Sequence, residues 1–217
     1  MASSVIDEFE RYLVLTVLGL FSMALAGCAG EQEFSAPGTE YYYLNPNKHL
    51  GEMGKIILVG LENQSDYPSV SADMTRALFQ AVQKRQLFNV NVVEPDDPMW
   101  RSLGLTPDGH YSMDQIYEIR NAVMCNAMMV GTITEYHPYP HMVVGLRLKL
   151  LDLTDGQLLW AFEQIWDTAD KGTVKRLHIY FQSQTMSDTS ALDEALAVVS
   201  PMQFFKFICS EVAGTMK

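Results

Sequence analysis

Residues 127–168 constrain the fold more than any other stretch, because three strand-like runs follow one another there with short breaks. The middle run, Met142 to Leu153, alternates Leu146, Leu148 and Leu150 with Arg147 and Lys149. A period of two sends one set to a covered face and the other to water. The first run, Ala127 to Tyr136, reads AMMVGTITEY. The third, Leu158 to Thr168, alternates less cleanly, with Leu159, Ala161 and Glu163 against Trp160, Phe162 and Ile165. Asp155-Gly156 between the second and third is a two-residue hairpin signal, since both residues accept positive φ. Together the runs predict a three-strand antiparallel meander.

Two strand–helix units precede it. Lys55 to Leu61, KIILVGL, is a short apolar run bounded by glycine and polar residues and reads as a buried strand. Glu62 to Asp66 supplies a turn, because Asn and Ser side chains bond the nearby backbone. Ser69 is placed to cap a helix over Val70 to Arg85, whose Val70, Met74, Ala77, Leu78, Ala81 and Val82 fall at helical spacing. Phe88 to Val93 alternates as a strand, and Glu94 to Gly109, rich in Pro and Gly, reads as a loop. Trp100 in that loop either plugs the end of the core or meets a ligand. Ser112 and Gln115 form a capping box for a helix with Ile116, Ile119, Ala122 and Val123 as its apolar stripe. After the meander, Thr173 to Gln184 reads as a helix, and Ser200-Pro201 begins a last one whose Phe204, Phe205, Ile208 and Val212 need cover. The expected fold class is α+β over residues 55–217, a single domain: strand–helix–strand–helix, the meander, then C-terminal helices, with the helices packed on one face of a single sheet.

The N-terminal part has a different character. Tyr12 to Ala26 carries no charge, is short for a membrane-spanning helix, and has the length of a signal-peptide apolar region. It ends in Leu25-Ala26-Gly27-Cys28, which resembles the lipobox of bacterial lipoproteins without a departure. The resemblance implies removal of residues 1–27 as a signal peptide and lipidation of Cys28, whose sulfur reacts as thiolate. More than one acyl chain, at ~0.8 kcal/mol per buried methylene, anchors stably. Arg11 among Asp7, Glu8 and Glu10 is unusual for a signal, which is ordinarily positive at its start. Ala29 after the cysteine, where aspartate resembles an inner-membrane retention signal, points to the outer membrane, with the domain in the periplasm. Residues 28–54, with Pro37, Gly38, Pro46, Gly51 and Gly54, read as a linker from the lipidated cysteine.

Charge narrows the partners. The net −11 of the full chain falls to about −9 without residues 1–27, where Asp7, Glu8 and Glu10 stand against Arg11. Such a chain is a poor ligand for nucleic acid or for an anionic membrane surface, so the lipid would hold it there. Two of its three cysteines, Cys125 and Cys209, sit among apolar residues and read as small buried hydrophobes, although a periplasmic disulfide is permitted.

Candidate contact residues are few. Tyr41, Tyr42 and Tyr43 either cap the domain edge or seat against a partner, since Tyr joins a large apolar ring to a polar tip. His137-Pro138-Tyr139-Pro140-His141, after Glu135, is the densest cluster. Histidines four apart can share a metal on a helix, but the prolines exclude a helix, so the segment reads as a stiff hairpin tip and a partner contact. Asp96-Asp97 and Asp152/Asp155 are either turns or acidic ligands. Cys125 has no evident histidine partner, with His110 and His178 the remaining choices. No glycine-rich phosphate loop and no Gly-x-Ser-x-Gly appear. The reading assigns no catalytic residue, no metal and no cofactor, and the expected protein is not an enzyme.

Two patterns carry a further resemblance. Ile57-Leu58-Val59-Gly60-Leu61-Glu62-Asn63-Gln64-Ser65 is an apolar strand followed by an Asn-x-Ser turn, and Met129 to Tyr136 leads through Leu146 to Asp152-Leu153-Thr154-Asp155-Gly156 and Trp160. Over residues 55–185 the chain resembles the domain shared by the curli secretion lipoprotein, the Pel polysaccharide export lipoprotein, the lipoprotein activators of peptidoglycan synthases and the N-terminal domain of TolB. It lacks the long amphipathic insertion with which the curli lipoprotein builds a pore, and in character is nearest the Pel lipoprotein. The resemblance implies a structural, partner-binding or ring-forming homo-oligomeric subunit of an envelope secretion or assembly system. The alternatives are a monomeric regulator of a peptidoglycan synthase or flagellar component, and a hydrolase holding metal on His137, His141 and Glu135.

Overall fold

The computed structural model describes residues 42–106, 109–184 and 200–217. The expected signal peptide, Cys28, the linker up to residue 41, and Tyr41 lie outside the described residues. One mixed sheet runs through the domain, with strands β1 (Tyr42–Leu44), β2 (Lys55–Val59), β3 (Glu62–Asn63), β4 (Asn89–Val93), β5 (Ala127–His137), β6 (Val143–Asp152) and β7 (Leu158–Asp167). Their order across the sheet is β1-β7-β6-β5-β2-β4, with β3 pairing beside β5. β2 is parallel to β4 and β5, whereas β5, β6, β7 and β1 are antiparallel. The helices are α1 (Ser69–Lys84), α2 (Pro98–Ser102), α3 (Met113–Val123), α4 (Lys171–Gln184) and α5 (Pro201–Gly214). The α+β class, the meander and the helix order follow the sequence expectation.

The helices cover both faces, not one. Ile56, Leu58, Ala127 and Met129 pack with α1 and α5 in the main core, while Ile57, Val59, Met128 and Val130 pack with α3 in a second core. Strand order explains this. The chain crosses from β2 outward to β4 by way of α1, then back over β2 to β5 by way of α2 and α3. Two crossovers of the same hand but opposite direction put their helices on opposite faces.

Other expectations change locally. Ser69 does not cap α1 but is its first residue, preceded by Pro68 with no side-chain cap. The expected loop after β4 contains α2, which Asp97 caps by accepting from Met99 N at 2.8 Å. Trp100 lies half-buried against the second core, as a plug would. Ser112 and Gln115 form the capping box, but Ala122 is exposed and the covered stripe of α3 is Ile116, Ile119 and Val123. Asp155-Gly156 does not make a two-residue hairpin. Residues 153–157 separate β6 from β7, Gly156 N donates to Asp152 O, and the register shifts between Leu150 and Leu151. Leu158, Leu159, Trp160, Phe162 and Trp166 pack against the cores, while Ile165 is 58% exposed.

The sheet also begins before residue 55. Tyr42–Leu44 pairs with Phe162, Ala161 and Trp160 of β7, and Leu50 is buried in the main core. Those residues belong to the folded unit and not to a linker. At the other end of the chain, Phe204, Phe205, Phe207, Ile208 and Val212 of α5 are all within 1% of full burial against the sheet and α1. Each contributes on the order of 1.5–3 kcal/mol.

Candidate functional site

β5, the longest strand, connects to β6 through a tip of residues 138–142. The Tyr139-Pro140 peptide there is cis. Buried Met142 fixes the base: its N–H donates to Thr168 Oγ1 at 2.8 Å, and Thr168 N donates to Met142 O at 2.9 Å. Tyr139 is 82% exposed at the apex. His137 Nε2 lies 3.3 Å from Glu135 Oε1, and His141 Nε2 lies 3.6 Å from Asp167 Oδ1. The two histidines therefore face different carboxylates on different strands. Among the described residues no group of three or more His, Cys, Asp or Glu side chains comes together as metal ligands would.

The turn after β3 reaches the same end of the sheet. Asn63 Oδ1 accepts from Ser65 N and Ser65 Oγ at 3.0 and 2.7 Å, and Asn63 Nδ2 donates to Tyr67 O at 2.7 Å. The Asn-x-Ser pattern thus shapes a turn. It presents Tyr67 edge-on to Tyr136, with ring centroids 5.2 Å apart. Tyr136 packs in turn on Phe205. Burial, helped by Tyr67, Tyr139 and Asp73, pushes the Tyr136 hydroxyl pKa up. The end of the sheet is an aromatic surface flanked by carboxylates.

The tyrosines at the other edge differ in burial. Tyr42 is half-buried against the main core, and Tyr43, opposite Ala161, is 45% exposed. Beyond them Asn45 Nδ2 donates to Leu158 O at 3.0 Å, and Lys48 Nζ lies 2.5 Å from both Asp152 Oδ2 and Asp155 Oδ2. The acidic pair is thus filled by an ammonium from the same chain. Burial works to raise the Asp152 pKa, but hydrogen bonds from Lys48 and Thr154 outweigh it and hold the carboxyl below its ordinary range. Cys125 and Cys209 are buried free thiols in different cores.

The sequence reading missed the surface beside these tyrosines. Arg147 and Glu163, Cα partners on β6 and β7, form an ion pair with Nη2 2.6 Å from Oε1, next to exposed Ile165. The break in the alternation of β7 at Ile165 was its visible sign.

Among solved structures the chain is similar to several proteins at low sequence identity. It is 15% identical to PelC, a dodecamer from Paraburkholderia phytofirmans, over 58% of this chain and 78% of that one, with a TM-score of 0.43. It is 19% identical to lipoprotein GNA1162 from Neisseria meningitidis, over 60% of this chain and 96% of that one, with a TM-score of 0.44. For the C-terminal domain of LpoB from Salmonella enterica the figures are 15% identity, 52% and 83% coverage, and a TM-score of 0.38. No protein-family model and no curated protein matches the sequence.

Proposed function

We propose that this chain is an outer-membrane lipoprotein, anchored through Cys28 with its domain in the periplasm. In this reading it is a non-enzymatic subunit of a cell-envelope secretion or assembly system, contacting protein partners and copies of itself. The observation that carries the reading is Leu25-Ala26-Gly27-Cys28 at the end of a short uncharged run, ahead of a folded α+β domain. The domain supports it by what its polar groups do. The acidic pair is closed by Lys48, the two tip histidines diverge, and no buried side-chain N or O among the described residues lacks a partner. The surfaces left for partners are Tyr43 at the sheet edge and His137, Tyr139 and His141 at the tip.

The regulator alternative must span from the membrane to a distant enzyme. Because the sheet starts at Tyr42, only residues 28–41 are left to reach, about 50 Å at full extension. That length favours partners close to the anchoring membrane.

Intact-mass analysis of the protein from native membranes tests the anchor. The expected N-terminus is a diacylglyceryl Cys28, and Cys28→Ser should move the protein to the soluble fraction. An unmodified thiol in a chain retaining Met1 would overturn the reading. Partner contact is tested by cross-linking in membranes from position 139, which should trap a discrete protein partner where position 117 on α3 does not.

A further inference from the structure

We propose that Thr39–Tyr41, which lie outside the described residues, extend β1 and close the bare edge of β7. An open strand edge carries unpaired N–H and C=O groups that invite pairing. β7 is ten residues long, yet among the described residues its outer edge is paired only as far as Phe162. Two bonds fix which backbone groups face outward beyond that point. Asn45 N donates to Leu159 O at 2.8 Å across the outer edge, and Thr168 N donates to Met142 O at 2.9 Å on the β6 side. In an antiparallel strand the N–H and C=O of one residue point the same way, and successive residues alternate. From Trp160 to Thr168 the even-numbered residues therefore face β6, whereas Glu163, Ile165 and Asp167 turn their backbone groups outward.

The residues before Tyr42 match this pattern. Continuing the register, Tyr41 falls opposite Glu163, Glu40 opposite Gln164 and Thr39 opposite Ile165. Asn45 turns its N–H toward β7, so the odd-numbered residues of β1 face it and Tyr41 and Thr39 bring their backbone groups to Glu163 and Ile165. The next residue to do so would be Pro37, opposite Asp167. Proline has no N–H, and the carbonyl it would have met already accepts from Asp170 N at 3.0 Å. The donor is missing where the acceptor is taken. Thr and Tyr favour strands, and both fall on the face of Tyr43, where Thr39 would cover Ile165, 58% exposed. Glu40 falls on the other face, beside half-buried Gln164.

Chain continuity selects this occupant over a strand from another molecule. Tyr42 is already seated opposite Phe162, so residue 41 arrives at Glu163 with no further loop to close. The opposite edge of the sheet is likewise stopped from within, where Val90 N of β4 donates to Gln83 Oε1 at 3.3 Å. The extension also orients the domain. β1 runs antiparallel to β7, whose last residues are bonded to the base of the tip, so the tether leaves the sheet at the tip end. Under the lipoprotein reading, residues 28–38 then remain free, about 40 Å at full extension, and His137, Tyr139 and His141 lie on the side toward the anchoring membrane. The pairing itself holds whether or not Cys28 is lipidated.

The test uses the full chain in mild detergent with Cys28→Ser, so that no third exposed thiol competes, and thermal melts report the fold of each variant. Opposite residues of a non-hydrogen-bonded antiparallel pair have Cα atoms about 4.5 Å apart, within disulfide reach. Glu40→Cys with Gln164→Cys should therefore cross-link within one chain under oxidised glutathione. Mass mapping should find at least tenfold less product for Ser35→Cys with Gln164→Cys, which lies beyond the stop at Pro37. In hydrogen exchange by NMR, the Glu163 and Ile165 amides should exchange at least tenfold faster in Tyr41→Pro, which deletes the donor to Glu163 O. Glu40→Pro, whose lost N–H points away from β7, should leave them protected. A missing 40–164 cross-link, a cross-link between two chains, or freely exchanging Glu163 and Ile165 amides in the parent chain would overturn the proposal. So would protection that Tyr41→Pro leaves unchanged, which would mark a different strand on that edge.

Discussion

Arg176 of α4 places its Nε 2.8 Å from Oε1 of Glu211 on α5, while Trp166 of β7 donates its indole N–H to the other carboxylate oxygen at 2.7 Å. Glu211 is only 2% exposed. One buried carboxylate thus joins two C-terminal helices to the last strand of the meander. Breaking a buried pair from one side leaves an uncompensated charge, so Arg176→Ala should cost about 2–4 kcal/mol in chemical denaturation, somewhat less than a fully enclosed pair because Arg176 is partly exposed. Burial pushes the Glu211 pKa up against the pull of Trp166 and Arg176. A carboxyl with a raised native pKa contributes stability that is complete below the ordinary glutamate value of about 4.3 and fades as pH rises through the native value. The unfolding free energy of the wild type, less that of Glu211→Gln, should therefore fall as pH rises above the ordinary glutamate value of about 4.3. A flat difference would mean that the carboxyl is not desolvated.

Lys48 holds the incoming chain against the β6–β7 turn through Asp152 and Asp155. Lys48→Met should free residues 42–50 without unfolding the sheet. Hydrogen exchange would show it as faster exchange in peptides covering β1, with β2 and α1 unchanged. The Asp152 carboxyl sits below its usual range, so its contribution is present above about pH 3.9 and is lost as pH falls through the lowered value. In Lys48→Met the acid-dependent loss should shrink, because the largest influence opposing burial at that carboxyl is gone and its native pKa moves up toward the unfolded value.

What could be read from the chain was what each segment says about itself. Leu146, Leu148 and Leu150 against Arg147 and Lys149 report one-sided burial locally, so the meander was legible. So was the capping box at Ser112, because its hydrogen bonds close within one turn. The second helical layer was not, since it depends on β4 lying outside β2, a non-local fact. Tyr42–Leu44 hid as a strand because three residues in a polar context carry no period. At the candidate sites, Pro138 and Pro140 marked an exposed tip in advance. The Arg147–Glu163 pair joins residues 16 apart, and irregular pairing between Leu150 and Leu151 helps set that register.

Gly131 shows how closely β5 and β6 approach. A Cβ at this position would lie 2.6 Å from the backbone oxygen of Arg147 and would also collide with Leu148. Backbone of a central strand cannot give way as the end of a flexible side chain can. Gly131→Ala should cost about 1–3 kcal/mol or more by overpacking, despite the gain in strand propensity. Urea denaturation with an unchanged m-value would report a lost fit between strands. A stabilised Gly131→Ala protein would mean that the two strands separate freely.

Cys125 and Cys209 supply a test of the two-layer arrangement itself. Cys125 belongs to the core under α3, whereas Cys209 lies in the opposite core with Sγ 3.6 Å from Met74 Sδ. The sheet lies between them, and a disulfide needs Cα atoms within about 7 Å, so no pairing follows even in an oxidising compartment. Burial raises both thiol pKa values, with Lys55 opposing weakly at Cys125, so little reactive thiolate forms. In the native protein an alkylating reagent should leave both residues unmodified over the time in which it fully labels an exposed thiol, and denaturant should release both. Mass mapping after non-reducing digestion would detect the contrary result. A Cys125–Cys209 cross-link would require the two cores to be one, and the sheet order given above would then be wrong.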